Sequence, residues 1–394
     1  MCEQHKQQNV NNYFSSDFKL GVLGGGQLGR MLLAETQKLD IYTLILDTSK
    51  HAPCAVICNE FHQGDLLSFE TVYNFGKKVD LLTIEIENVN IDALDTLEQE
   101  GLTIIPKPST LRIIQNKARQ KHFYTDNSIP TAAFSHYAYS EELKHSFENN
   151  IIDFPFVWKS ARFGYDGNGV KIVRNYQDLE QLPEGECIVE ELIPFKNELA
   201  VIVARNAQGG TKTYPVVEME FHPEANQVEY VICPARIDAD IAKKARELAI
   251  DIVYKMDFEG LLAVEMFLTY DNEILVNEVA PRTHNSGHYS IEASYTNQFE
   301  QHLRSILNLP LGNTDSKVAG IMVNLVGEEG YSGDVIYQNI EDILKIDGVT
   351  PHIYGKKQTK PFRKMGHVTI VHKNVDEARK IAQIVKETVK VISK

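Results

Sequence analysis

The sequence predicts a multidomain protein of α/β and α+β construction, and three observations lead to this prediction. A strand, a glycine-rich turn, a helix and a second strand follow one another near the N-terminus. Short strands and glycine-rich loops dominate from residue 151, and strands with a basic cluster and one helix follow from residue 311. The length of 394 residues suits two or three domains. We expect a disordered extension over residues 1–16 and domains over residues 17–112, 113–310 and 311–394.

Composition and charge exclude several classes of protein. Hydrophobic residues make up 43% and charged residues 24% of the chain, as in ordinary soluble globular proteins. A formal net charge of −14 argues against a nucleic-acid-binding surface, so local basic groups must bind any anionic ligand. No apolar run reaches the roughly 20 residues of a membrane span, and the N-terminus lacks a signal-peptide core. The five scattered cysteines predict reduced thiols in a cytoplasmic protein.

The first domain begins with a βαβ unit. A strand over residues 18–23 is followed by the turn Gly24–Gly29, a helix over residues 30–39 and a strand over residues 41–47. This turn places backbone N–H groups at a helix N-terminus, where an anion can bind. The spacing also matches the dinucleotide-binding fingerprint, with Asp47 in the position of a ribose-binding acid. An NAD-dependent oxidoreductase is therefore one hypothesis, and a phosphate of another ligand would fit equally well.

A second α/β segment completes this domain. Residues 79–88 read as a strand that ends in acids, with Glu85 and Glu87 on one face. Ligand clefts of open α/β sheets lie at such strand ends. Two prolines then mark a boundary, and Ser109 can cap a helix over residues 111–124.

The middle region contains a candidate phosphate-binding loop. A strand ending at Lys159 leads into Gly164–Val170, which holds three glycines in six residues. Such a loop lets the backbone approach a phosphate closely, although an ordinary hairpin turn has the same composition. The charges of Lys159 and Arg162 favour phosphate, and the absence of a following Gly-Lys-Ser/Thr excludes a Walker loop.

A candidate nucleotide hinge follows. The strand 187–193 runs into Glu190 and Glu191, and Glu198 lies on the next strand. Such a hinge could present backbone groups to a base and a carboxylate to ribose hydroxyls, or its acids could simply be solvated. Residues 240–254 read as an amphipathic helix whose apolar positions are core.

Two carboxylates are predicted to meet on a hairpin. Residues 262–268 and 274–279 read as strands, and Asp271-Asn272 as a two-residue turn. This register places Glu265 opposite Glu278, where like charges ~5 Å apart would repel by about 3 kcal/mol at an effective dielectric near 20. A cation between them would relieve the repulsion, and Mg²⁺ typically takes one or two protein carboxylates. The alternative is a solvated edge hairpin with another register.

The segment after this hairpin, Pro281–His288, carries one Arg, two His, an Asn and a Ser. Loops held by a rigid scaffold concentrate binding and catalytic groups. This loop therefore predicts an anion beside the metal.

Near the C-terminus, a helix is predicted over residues 375–389. A basic cluster precedes it, and this cluster is either a solvated surface or a docking site for a substrate phosphate: Lys356, Lys357, Lys360, Arg363 and Lys364.

Taken together, these motifs resemble the 5-(carboxyamino)imidazole ribonucleotide synthases, a family of ATP-grasp enzymes. The likeness extends from about Lys19 onward and is most specific in Asn277–His288. The resemblance implies a Rossmann-like (pre-ATP-grasp) N-terminal domain, a two-lobed central ATP-grasp domain and a small mixed C-terminal domain. The motifs that carry it are Gly24–Gly29, Lys159 with Gly164–Gly167, Pro234-Ala235-Arg236, Glu265, Asn277–His288, Tyr354-Gly355-Lys356 and Arg363–His367.

The resemblance also implies a role for each matching residue. The expected ATP-binding residues are Lys117, Lys159, the loop Gly164, Tyr165, Asp166, Gly167, Asn168, Gly169 and Val170, the hinge Glu190, Glu191, Leu192 and Ile193, and Glu198, His222, Asn277 and Glu278. The expected metal ligands are Glu265 and Glu278. The expected ribonucleotide-binding residues are Gln27, Leu28, Glu85, Tyr165, Lys356, Arg363 and Lys364. The candidate catalytic residues are Asp166, Arg282, His284, Asn285 and Lys356.

Two positions depart from the family pattern. Lys117 stands where the family usually has Arg, which keeps the charge and loses the bidentate fork. Asn168 stands where a basic residue is common.

The implied reaction joins 5-aminoimidazole ribonucleotide, bicarbonate and ATP in a cytoplasmic homodimer that uses Mg²⁺, or Mn²⁺ as the alternative metal. It is a step of de novo purine biosynthesis. Asp166 is the candidate for proton transfer or for orienting the substrate amine. Within the same fold, a formate-dependent glycinamide ribonucleotide transformylase is the competing hypothesis, and a non-catalytic nucleotide-binding regulator is a further one. No nucleic-acid or membrane partner is expected.

Overall fold

The computed structural model describes residues 13–162, 169–222 and 227–394, and within these ranges the strands form four sheets. The N-terminal sheet is parallel, in the order β3-β2-β1-β4-β5. Its strands are β1 (Lys19–Leu23), β2 (Tyr42–Asp47), β3 (Glu60–Gln63), β4 (Leu81–Ile84) and β5 (Thr103–Ile104). Its helices are α1 (Gln27–Lys38), α2 (Phe69–Gly76), α3 (Ile91–Gln99) and α4 (Pro108–Ile114). The predicted βαβ unit is confirmed.

Two local predictions in this region are wrong. The helix expected over residues 111–124 is two helices, α4 and α5 (Lys117–Asp126), because the Asn116 side chain accepts the N–H of Arg119 at 2.9 Å and starts a new helix. Ser109 does not cap α4, which begins at Pro108. Residues 13–17 form turns, and Tyr13 packs edge-on against Phe18.

A small antiparallel sheet forms the first part of the middle region. Its order is β6-β9-β7-β8, and Trp158, Cys187 and Val189 bury its inner face against Leu143. Its strands are β6 (Phe134–Tyr137), β7 (Phe156–Ser160), β8 (Val170–Val173) and β9 (Cys187–Glu191), and its helices are α6 (Ser140–Glu148) and α7 (Tyr176–Glu180). We call this unit the small lobe.

A large antiparallel sheet forms the second part, which we call the large lobe. Helix α8 (Ala239–Lys255) packs its apolar stripe, including Ala245, Ala249 and Ile252, against this sheet. The strands of this lobe are β10 (Phe195–Arg205), β11 (Thr211–Thr213), β12 (Val217–Phe221), β13 (Val228–Cys233), β14 (Gly260–Thr269) and β15 (Ile274–Ala280). A 3-10 turn (Asn285–Gly287) and helices α9 (Ser290–Ala293) and α10 (Gln298–Ile306) follow.

The C-terminal strands continue the large sheet, whose order is β15-β14-β10-β12-β13-β16-β20-β18. The closing helix was predicted to residue 389, but it ends at Thr388 and a strand, β21, pairs with β17 after it. The remaining elements are β16 (Ala319–Val326), β17 (Gly333–Gln338), α11 (Ile340–Ile343), β18 (Val349–Ile353), β19 (Gln358–Thr359), β20 (Lys364–His372), α12 (Val375–Thr388) and β21 (Lys390–Ser393). None of the described helices is long and apolar enough to cross a membrane.

Helix α10 joins the N-terminal sheet to the large lobe. Phe299 and Leu303 pack against Leu33 of α1 in one apolar cluster, and His302 Nε2 lies 3.2 Å from Thr83 Oγ1 of β4. Burial lowers the pKa of His302 to about 4, so this imidazole is neutral in the folded protein at neutral pH.

His302 should make the fold sensitive to acid. The unfolded chain binds a proton here below pH ~6.5, whereas the folded chain does not until about pH 4, so stability falls as pH decreases through this window. In His302→Gln, the loss of unfolding free energy between pH 7 and pH 4.5 should be smaller by about 2 kcal/mol. Urea unfolding at both pH values measures this, with the exposed His51→Gln as control. Equal acid losses in wild type and His302→Gln would contradict the assignment.

Candidate active site

The predicted pair of carboxylates is present, but the turn differs from the prediction. Near the turn, Leu268 pairs with Ile274, and Asn272 adopts a left-handed conformation (φ 62°) in a three-residue loop. The predicted two-residue turn is therefore wrong. A β-bulge between Glu265 and Met266 then restores the expected pairing, and Glu265 lies directly opposite Glu278.

Each of these carboxylates has a cationic or hydrogen-bonding partner from another element. Lys117 Nζ forms an ion pair with Glu278, and this charge lowers the pKa of the Glu278 carboxyl to about 2. His284 Nε2 lies 3.2 Å from Glu265 Oε1. Its Nδ1 accepts the N–H of Ser286, which leaves the Nε2–H to donate to the carboxylate. The repulsion predicted from the sequence is therefore compensated by the fold.

Glu198 is a third acid of this site. It lies on β10 opposite Phe267 of β14, two residues along the strand from the position opposite Glu265. Burial, followed by the negative charge of Glu265, raises the pKa of Glu198 to about 8. Three carboxyl groups therefore cluster here, of which Glu198 keeps its proton at neutral pH, and this favours a cation or a group rich in hydrogen-bond donors.

Two lysines share one buried glutamate between the lobes. Lys159 Nζ lies 2.8 Å from Glu190 Oε2, and Lys121 Nζ lies 3.0 Å from Glu190 Oε1. Lys159 also donates to Asn277 Oδ1 at 2.8 Å and so connects the small lobe to the hairpin. Lys121 was missed at the sequence level, although it lies one helical turn after Lys117 on α5, where residues four apart share a face.

The hinge and the remaining nucleotide-site candidates occupy several elements. Glu191 ends β9, and Leu192 and Ile193 lead into β10. His222 follows β12, with its ring 6.0 Å from that of Phe362. Of the predicted phosphate loop, Gly169 and Val170 are described, and Val170 pairs with Lys159. Gly164, Tyr165, Asp166, Gly167 and Asn168 lie outside the described residues.

The glycine-rich turn before α1 is occupied by the protein itself. Glu85 Oε1 accepts the N–H of Leu28 at 3.0 Å, and Asp47 Oδ2 accepts the N–H of Gly25 at 2.8 Å. A Cβ at Gly26 would lie 2.5 Å from Glu85 Oε1, so a larger residue at this position would displace the Glu85 carboxylate. The two acids nearest the dinucleotide-like turn thus bind the turn itself, which removes the main support of the NAD hypothesis.

Glu85 and Glu87 do not share a strand face as predicted, because β4 ends at Ile84. Burial raises the pKa of Glu85 to about 7 against the opposing effect of Arg282. Glu87 Oε1 lies 2.8 Å from Arg282 Nη2. The two acids thus connect the N-terminal sheet to the α1 turn and to the loop after the hairpin, respectively.

The loop after the hairpin is fixed by the C-terminal part of the large sheet. Asn285 and Asn324 of β16 exchange two hydrogen bonds between their side-chain amides, each 3.0 Å long. Gln298 of α10 donates to the His284 carbonyl and accepts the His284 N–H, both at 2.8 Å. The fixed loop therefore places His284 beside the carboxylate pair, Arg282 against Glu87 and Asn285 against Asn324.

The predicted substrate cations lie around Gly355. Lys356 Nζ donates to the Lys364 carbonyl at 2.7 Å, and Arg363 Nη1 donates to the Gln358 carbonyl at 2.6 Å. A Cβ at Gly355 would lie 3.3 Å from Arg30 Nη1 of α1. The structure thus brings this segment close to the helix that begins with Gln27 and Leu28.

The donor set fits a hard divalent ion that takes few protein ligands. Over the described residues there is no group of three His, Cys, Asp or Glu side chains arranged as a metal cluster. The opposed pair Glu265 and Glu278 supplies carboxylate oxygens, and Mg²⁺ typically takes one or two such ligands and fills its other positions with phosphate and water.

Comparisons with known proteins cover all three regions of the chain. Family models match residues 18–115 (ribonucleotide synthetase preATP-grasp domain), 122–299 (ATP-grasp domain) and 320–381 (phosphoribosylaminoimidazole carboxylase C-terminal domain). The N5-carboxyaminoimidazole ribonucleotide synthase of Bacillus subtilis is 36% identical over 363 residues, which are 91% of this chain and 92% of that protein.

Two crystal structures show the same architecture. The N5-carboxyaminoimidazole ribonucleotide synthetase of Thermotoga maritima has 41% identity and a TM-score of 0.87 over 96% of this chain and 100% of its own. The Aspergillus clavatus synthase in complex with ADP and 5-aminoimidazole ribonucleotide has 33% identity and a TM-score of 0.86 over 94% and 98%. The predicted fold and family are confirmed: the chain belongs to the N5-carboxyaminoimidazole ribonucleotide synthase family of ATP-grasp proteins.

Proposed function

We propose that this chain carboxylates 5-aminoimidazole ribonucleotide with bicarbonate and ATP, giving 5-(carboxyamino)imidazole ribonucleotide, ADP and phosphate in de novo purine biosynthesis. The observation that carries the proposal is the opposed pair Glu265 and Glu278, which lies between Lys117 and the His284 loop. The relative from Aspergillus clavatus, whose complex contains ADP and 5-aminoimidazole ribonucleotide, supports the same substrates here.

The chemistry explains why a phosphate-transfer site adjoins an anion-binding loop. Bicarbonate is a poor electrophile, so its oxygen first attacks the γ-phosphate of ATP, and carboxyphosphate and ADP are formed. Mg²⁺, or alternatively Mn²⁺, bound by Glu265 and Glu278 with Asn277 alongside, would neutralise the negative charge of the phosphates. The substrate amine then attacks the carboxyl carbon, and phosphate leaves.

We assign the nucleotide to the cleft between the lobes. Lys117 and Lys159 bind its phosphates, and Glu190–Ile193 hold the base. Glu198 accepts hydrogen bonds from the ribose hydroxyls, and His222 approaches the nucleotide. The contacts of the two lysines support this, since both Nζ atoms lie on the hairpin residues Asn277 and Glu278. A phosphate between the lobes would draw the same two cations.

Bicarbonate and carboxyphosphate are assigned to Arg282, His284 and Asn285. The His284 Nε2–H and the Arg282 guanidinium can donate to their oxygens and stabilise the charge that develops in transfer. The loop Gly164–Val170, with Tyr165 and Asp166, is proposed to close over the site and exclude water, which would otherwise hydrolyse carboxyphosphate. Asp166 keeps its proposed role in proton transfer or amine orientation.

We assign the ribonucleotide to the junction of the first and third domains. Its phosphate would meet Lys356, Arg363 and Lys364, while Gln27, Leu28 and Glu85 lie at the start of α1. The approach of Gly355 to Arg30 supports a joint site. Domain limits of 17–112, 113–310 and 311–394, a cytoplasmic location and a homodimer are part of the same proposal.

Phosphate release with each acceptor in turn separates this function from its competitors. The proposed enzyme releases phosphate from ATP when both 5-aminoimidazole ribonucleotide and bicarbonate are present. A transformylase would respond instead to glycinamide ribonucleotide with formate, and a regulator would bind ATP without turnover. Nicotinamide binding would be required to revive an oxidoreductase.

The metal assignment predicts a loss of turnover in Glu278→Gln. Removing one carboxylate charge from the phosphate-transfer site should lower the rate of phosphate release by at least about a hundredfold. Circular dichroism should show an intact fold, because the amide can still accept from Lys117. Glu273→Gln, an exposed change on the same hairpin, is the matched control. Wild-type turnover in Glu278→Gln would remove the assignment.

The raised pKa of Glu198, the proposed ribose-binding acid, predicts that this residue lowers the free energy of unfolding as pH rises. The folded protein retains a proton here up to about pH 8, whereas the unfolded chain loses it near 4.5, so stability falls as pH rises through this window. Glu198→Gln should therefore unfold with a free energy about 2 to 4 kcal/mol higher than wild type at pH 8, with little difference at pH 4.5. Urea titrations measure this, with the exposed Glu247→Gln as control. A pH-independent difference would contradict it.

A further inference from the structure

We propose that Lys121 is a positioning residue of the nucleotide site: it is a second, fixed counterion of Glu190 that leaves Lys159 available to a phosphate. The inference rests on the proposed assignment of Lys159 to the phosphates of ATP. It adds a residue whose role is exerted through Glu190 and Lys159.

The contacts assign one lysine to each oxygen of Glu190. Lys121 Nζ lies 3.0 Å from Oε1 and Lys159 Nζ lies 2.8 Å from Oε2. Glu190 and Lys121 are each only 2% exposed. Water therefore cannot replace either lysine at low cost, since an unpaired buried carboxylate is strongly destabilising.

Lys121 is fixed in place, whereas Lys159 faces the site. Lys121 Nζ also donates to Thr131 Oγ1 at 2.5 Å, and that hydroxyl donates to the Val276 carbonyl of β15 at 2.7 Å. Lys159 has its other contact with Asn277 Oδ1, beside the opposed carboxylates. A phosphate there can attract Lys159 without leaving Glu190 unpaired, because Lys121 remains on the other oxygen.

The net charge of Lys121, Lys159 and Glu190 supports the same role for Lys121. Two lysines and one glutamate leave one net positive charge for the phosphates. Burial lowers the pKa of Lys121 to about 8, which leaves it mostly charged at pH 7. The charged groups acting on it are Glu190, Lys159 and Lys117. Without Lys121, Glu190 would neutralise Lys159 and hold it away from the nucleotide.

A double-mutant cycle on the full chain tests this. Calorimetry measures the Kd of ADP with Mg²⁺ for wild type, Lys121→Met, Glu190→Gln and the double variant. Lys121→Met should raise Kd by about tenfold or more in the wild-type background, because Glu190 is then paired with Lys159 alone and holds it away from the phosphates. The same change should raise it by less than about threefold in the Glu190→Gln background, where no carboxylate competes for Lys159.

Equal increases in Kd in the two backgrounds, or no increase in either, would overturn the inference. If Lys121 were merely structural, Glu190→Gln would not reduce the effect of replacing it. Lys121→Arg, which keeps the charge, should bind ADP within about threefold of wild type. The exposed Lys243→Met is the matched control. If Lys121→Met fails to fold in a thermal melt, Lys121→Gln is measured in both backgrounds with the same expectation.

Wild-type measurements separate this inference from the proposed function. ADP binding without phosphate release in the presence of 5-aminoimidazole ribonucleotide and bicarbonate would overturn the proposed function, while the cycle would still test Lys121. Absence of ADP binding by wild type would overturn both.

Discussion

The opposition of Glu265 and Glu278 is the constraint on which the rest of the site depends. Two carboxylates across one antiparallel pair repel unless positive charge is brought to them. The fold supplies a lysine from α5 to one and an imidazole from the following loop to the other. The sheet that holds the acids, the helix that provides Lys117 and the loop that carries His284 are therefore parts of one electrostatic arrangement, which an ion and a nucleotide can enter by replacing those partners.

The β-bulge in this hairpin has a functional consequence. In a regular strand, consecutive side chains point to opposite faces, so Asn277 and Glu278 could not both face the small lobe. The β-bulge between Glu265 and Met266 changes the direction in which the side chains of this segment point. Lys159 consequently reaches Asn277 while Lys117 reaches Glu278. Bulges commonly re-aim side chains in this way near active sites, and here two adjacent residues contribute to one cleft.

Buried acids act as structural ligands elsewhere in the same molecule. Glu85 occupies the N-terminus of α1, the place that a phosphate takes in dinucleotide-binding proteins, and Glu190 holds two lysines between helix α5 and the small lobe. In both cases a carboxylate of the protein fixes groups that the proposed function assigns to ligand binding. The close approach of Glu85 to Gly26 accounts for the small residue at that position of the turn.

The pairing of Glu265 with Glu278 was predicted from a two-residue turn, and the structure reaches it through a three-residue loop and a β-bulge. The sequence by itself determined the βαβ unit, the strands of the hairpin and, through its motifs, the family. These features depend on local periodicity and on residues close together in the chain. Only the tertiary structure decided the bulge, the use of Glu85 within its own domain, the Asn285–Asn324 amide pair and the sharing of Glu190 by Lys121 and Lys159. The bulge lies within the hairpin, whereas the other three are contacts between segments distant in sequence. Their geometry is set by how sheets and helices pack, which no local pattern of residues encodes.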